Sequence, residues 1–129
     1  MKKTTPKDFI IKLDVYPFHI LVSIDQTDDQ LKKVLKTLKI AKSIIDNMPT
    51  MPETSTGSTL MLPTNQTIIR LKTRPDKYEF MAIVAHEALH ATSFILNKVG
   101  IPFDQENSEE AYTYLMQHIC YVIYQKTIK

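Results

Sequence analysis

Cysteine is nearly absent from this chain: Cys120 is the one thiol among 129 residues. An intrachain disulfide is therefore excluded, and a reducing compartment is the expected setting. Long apolar runs are missing too, and nothing approaches the roughly eighteen residues that a membrane span needs. Lys2 and Lys3 open the chain, but Pro6, Asp8, Lys12 and Asp14 interrupt any hydrophobic signal segment. No secretion signal is expected, which places the protein in the cytoplasm of the producing or host cell. Charge of one sign is also scarce. Sixteen Lys and Arg face fourteen Asp and Glu, for a net +2, which is too little to indicate nucleic acid or a membrane surface as a partner. Lys32, Lys33, Lys36, Lys39 and Lys42 do cluster, but they fall on the outer face of a predicted helix and read as solvated surface. Internal repeats and low-complexity tracts are absent.

What remains is the composition of an ordinary globular protein, 43% hydrophobic and 23% charged. The length suits one domain over residues 1–129, large enough to bury a core without a staple. Residues 9–15 and 19–24, rich in β-branched and aromatic types, predict two strands separated by Tyr16-Pro17-Phe18. Thr27 and Gln30 form a reciprocal capping pair. They open a helix whose apolar residues Leu31, Val34, Leu35, Leu38, Ala41 and Ile45 carry it to about residue 46. Residues 47–58 read as a loop from their proline, threonine and glycine content. Short strands follow over 59–62 and 67–72. Pro75 suits the first turn of a helix over 76–98, which Gly100 is placed to end in a left-handed conformation. A last helix runs over about 108–126. These elements predict an α+β fold: a small, mostly antiparallel sheet with helices packed on one side.

The chemistry is concentrated at His86-Glu87-Ala88-Leu89-His90. A helix turns about 100° per residue, so His86 and His90 project from one face, one turn apart. Two imidazoles so placed can grip one zinc ion, and Glu87 can reach a water beside it. A hydrolytic zinc site wants a third protein ligand and an open position. The last helix opens with Glu106, Asn107, Ser108, Glu109 and Glu110. Glu110 is the leading candidate, because Tyr114 and His118 follow it at four-residue steps on a polar face. Glu109 and Glu106 are the alternatives, and Asn107 with Glu110 also has the spacing of a helix cap. Tyr114 and His118 are the candidate donors to a developing oxyanion. Tyr112 points elsewhere around the helix. His19 reads as a strand residue.

His86-Glu87-x-x-His90 with the downstream block Glu110-x-x-Thr113-Tyr114-Leu115 resembles the gluzincins, zinc peptidases whose third ligand is a glutamate. Among them it is similar to the minimal, single-domain versions encoded in bacteriophage and prophage genomes, whose second block often reads E-x-x-A-Y-L. Thr113 stands here in place of the alanine. The upstream order of a helix, the strand at Thr56-Gly57-Ser58-Thr59, a further strand and then the metal helix fits the same pattern. The resemblance covers roughly residues 9–124. It implies a zincin-like core, a zinc ion held by His86, His90 and Glu110, and Glu87 as catalytic base, with Tyr114 and His118 nearby. The partner would be a peptide or protein, with an extended substrate adding to the edge of the sheet at 59–62. Two other readings stand beside hydrolysis of a peptide bond. One is a zinc-binding interaction or assembly module without turnover, possible in a phage particle. The other is a hydrolase for a non-peptide amide or ester.

Overall fold

A computed structural model describes residues 1–128. Four strands form one open sheet: β1 (Lys7–Ile11), β2 (Ile20–Ile24), β3 (Gly57–Met61) and β4 (Thr67–Leu71). Their spatial order is β1-β2-β4-β3. The two outer pairings are antiparallel, and the central pair β2–β4 is parallel. Among the described residues four helices accompany them: α1 (Asp28–Thr37), α2 (Lys42–Asp46), α3 (Lys77–Lys98) and α4 (Glu109–Thr127). The α+β class is as expected.

The helices do not all lie on one side, and here the expectation is corrected. Strand residues alternate between faces, and the core divides accordingly. Ile20, Val22, Ile24, Ile69 and Leu71 join Phe80, Val84 and Ala88 of α3 and Ile119 and Ile123 of α4. Leu21 and Ile68, on the opposite face, join Leu31 and Leu35 of α1 and Ile45 of α2. Every residue of β2 and of β4 is buried. ILVSI and TIIRL are near-continuous apolar runs, the pattern of strands covered on both faces.

A second correction concerns the helix expected over 27–46. It begins as predicted, with Thr27 and Gln30 closing a reciprocal capping box, but it stops at Thr37. Lys39 takes a left-handed φ of 60°. Its N–H bonds to Lys36 O, and that of Ile40 reaches back to Leu35 O, which together close the end of α1. Gly100, with φ 82°, ends α3 through the same two bonds, to Asn97 O and from Ile101 to Leu96 O. Only the second ending carries the glycine that advertises it, because a lysine in this conformation is a strained and unannounced choice.

α3 and α4 form an antiparallel pair. Tyr112 OH near the start of α4 donates to Ile101 O just beyond α3, and Tyr124 OH near its end donates to Met81 O in the first turns of α3. Among the described residues, no helix is long and apolar enough to cross a membrane.

Candidate metal centre

Asp76 caps α3 by accepting the Tyr78 N–H. From there Phe80, Val84, Ala88, Ala91 and Ile95, all fully buried, recur every three or four residues and fix which face meets the sheet. That placement decides the fate of the pentapeptide. Glu87 falls on the buried side and is only 5% exposed. His86 and His90 lie a step around the helix and are exposed.

The two imidazoles converge. His86 Nε2 and His90 Nε2 are 3.2 Å apart, with ring centroids at 4.9 Å and planes at 72°. Phe94 stacks on His90 with ring centroids at 6.4 Å. Without a cation, such a contact needs one ring to donate its N–H to the lone pair of the other. A tetrahedral zinc ion with Zn–N bonds of about 2.0–2.1 Å holds two nitrogens about 3.3–3.4 Å apart. The pair therefore already has the separation of two ligands on one ion. Together with one carboxylate oxygen of Glu87, the two ring nitrogens form a group whose members all lie within 4.8 Å of one another.

β3 completes the surroundings of Glu87. Gly57, Thr59 and Met61 pair with Leu71, Ile69 and Thr67 and so face α3. Thr59 Oγ1 lies 2.9 Å from Glu87 Oε1 and 3.2 Å from Glu87 O, both within reach of its single proton. Gly57 lies so close that a β-carbon there would be 3.0 Å from Glu87 Cγ and 3.1 Å from Oε2. Pairing only with β4, β3 is a sheet edge, as expected for this segment.

Among known proteins, nothing matches: no family model, no curated protein and no solved structure corresponds to this chain. The site is therefore read from its own residues.

The remaining sequence candidates are not gathered at this point. Glu110 is exposed in the first turn of α4, and its carboxylate is not within 4.8 Å of both imidazoles. Tyr114 and His118 line a groove of about 250 Å³ against Lys12, Leu13, Asp14, Val15 and Tyr16. Neither His86 nor His90 is in its wall. The four-residue steps along α4 did place Tyr114 and His118 together, but toward the β1–β2 connection. Tyr112 is buried with its hydroxyl spent on Ile101 O. His19 is exposed and accepts the Leu13 N–H at its Nδ1. Two residues that sequence reasoning missed, Gly57 and Thr59, touch Glu87 directly. Gly57 gave a signal, because a glycine inside a strand marks close approach of another group. Thr59 gave none.

Proposed function

We propose that this chain is a zinc-dependent hydrolase of the compact gluzincin kind, acting on a peptide bond. The observation that carries the reading is the 3.2 Å approach of His86 Nε2 to His90 Nε2 beside the buried carboxylate of Glu87. His86 and His90 would hold the ion as neutral imidazoles. Glu110, exposed in the first turn of α4, is the proposed third protein ligand; its carboxylate lies outside the His86–Glu87–His90 group and would have to swing toward the imidazoles. Zinc, when bound, supplies a Lewis acid that makes water acidic enough to ionise near pH ~7 and polarises a carbonyl.

The chain's own residues do the rest. Glu87 accepts the proton of the attacking water and later delivers it to the departing amine. Oε1 of that carboxylate faces Thr59 Oγ1, so Oε2 is the oxygen assigned to proton transfer. The open edge of β3 offers backbone N–H and C=O groups to an extended substrate, which would then lie across the same strand that touches Glu87.

The deciding experiment combines elemental analysis with Glu87→Gln. Protein supplied with zinc should carry about one ion per chain. Glu87→Gln should keep that ion and lose turnover of a fluorogenic peptide library by about a hundredfold or more. A chain that takes up no metal after supplementation removes the proposal.

A second reading draws on the exposure of His86 and His90 and on Leu89 between them, itself 49% exposed. Water is poorly excluded from such a surface. A zinc-binding interaction or assembly module without turnover fits that openness. Bound zinc, with wild type and Glu87→Gln equally inert toward peptides, would favour it.

A further inference from the structure

We infer that Thr59 is a positioning residue for Glu87, holding one carboxylate oxygen so that the other is the one free to take a proton. The inference rests on the reading of Glu87 as a base.

The Thr59 hydroxyl has a single proton, and both acceptors within its reach belong to Glu87: Oε1 at 2.9 Å and the backbone O at 3.2 Å. The shorter contact goes to the side chain, where a carboxylate acceptor makes the stronger bond. Glu87 has three side-chain torsions. Burial of the stem between α3 and β3 restrains the first two, and the bond from Thr59 fixes the plane of the carboxylate about the last. Gly57, two residues earlier on the same face of β3, supplies the other half. A β-carbon there would lie 3.1 Å from Oε2, so the glycine lets the second oxygen lie close against β3 without a clash. One strand face thus brackets the carboxylate, with Thr59 bonding Oε1 and the bare backbone of Gly57 accommodating Oε2.

Thr59 directs all its side-chain hydrogen bonds to Glu87. It acts through Glu87, so its loss should lower kcat and leave KM nearly unchanged. A displaced catalytic group commonly costs on the order of a hundredfold in rate.

The test uses the zinc-supplemented full chain and a fluorogenic peptide library, with Thr59→Val, Thr59→Ser and Glu87→Gln. Thr59→Val should bind zinc at the wild-type stoichiometry, lose about 10- to 100-fold in kcat and hold KM within about twofold. Thr59→Ser keeps the hydroxyl and should return kcat to within about threefold of wild type. A second readout needs neither metal nor turnover. Urea unfolding of the metal-free chain with Thr59→Val, Glu87→Ala and the double variant should be non-additive by about threefold or more in the unfolding equilibrium. An unchanged kcat in Thr59→Val, a loss that serine does not rescue, or an additive cycle would overturn the inference. Inactive Glu87→Gln beside fully active Thr59→Val sinks the Thr59 role alone. Fully active Glu87→Gln sinks the hydrolytic reading and the Thr59 role together.

Discussion

Gly57 and Glu87 are in contact across the interface of β3 and α3, with no space between them for a methyl group. A β-carbon at 57 would meet Ile83 Cγ2 at 2.9 Å as well as the Glu87 side chain. Gly57→Ala should therefore push β3 away from α3, destabilise the chain by about 1–3 kcal/mol and lower any turnover. Gly100→Ala is the contrasting control. Its φ is 82° with nothing within 4 Å of a new β-carbon, so it should cost about 1–2 kcal/mol of backbone strain and leave zinc binding intact. Urea unfolding and zinc titration of both variants check the pair.

His86→Ala and His90→Ala should each abolish stoichiometric zinc binding in competition with a chelator. Both residues are exposed, so the metal-free variants should unfold within about 0.5 kcal/mol of wild type. Zinc should raise the melting temperature of wild type by mass action and fail to raise that of either variant. Of Glu110→Ala, Glu109→Ala and Glu106→Ala, only the first should weaken zinc. Equal affinities across the three would remove Glu110 from the site.

Acid should expose the Arg70–Asp28 pair. Arg70 is 3% exposed and donates through Nη1 to Asp28 and through Nη2 to Gln26 O. Burial pushes the Asp28 carboxyl up, but the Arg70 hydrogen bond and charge, with the Met51 N–H, outweigh it and hold it below the ordinary 3.8. A depressed carboxyl contributes stability that is present above 3.8 and lost as pH falls through the lower folded value. Asp28→Asn should cost about 1–3 kcal/mol near neutral pH, and the gap to wild type should close below pH ~3.8. Urea midpoints across the acid range measure it.

At the alkaline end, Tyr124 should titrate late. Burial first, then the charge and hydrogen bond of Cys120, push its hydroxyl up to about 12. The stability it contributes is complete below the ordinary 10.0 and is lost as pH rises toward that value. Tyr124→Phe should remove the last phase of tyrosinate absorbance. It should also cost about 0.5–1.5 kcal/mol through the bond to Met81 O.

Much of this architecture was readable from residue patterns. The reciprocal cap at Thr27 and Gln30, the glycine ending at Gly100 and the helix through the pentapeptide are all local signals, and each sits where expected. The break at Lys39 and the helices on both faces were not legible in the same way. Lysine does not announce a left-handed turn, and an apolar run in a strand says that it is buried without saying against what. At the site, helical spacing foretold the approach of His86 to His90, since i and i+4 share a face. The contacts of Glu87 with Thr59 and Gly57 join segments 28 and 30 residues apart, and no local periodicity encodes them. For Tyr114 and His118, spacing gave the shared face of α4, and the structure sets both in a groove with residues 12–16.

β3 is bonded along one side only and spans five residues. An outermost ribbon of that length separates from its neighbour at lower free energy than the two strands enclosed beneath the helices. Heat should therefore part Thr59 and Gly57 from Glu87 some degrees before the chain melts. Amide exchange at residues 57–61 faster than in β2 and β4 would mark that early loosening.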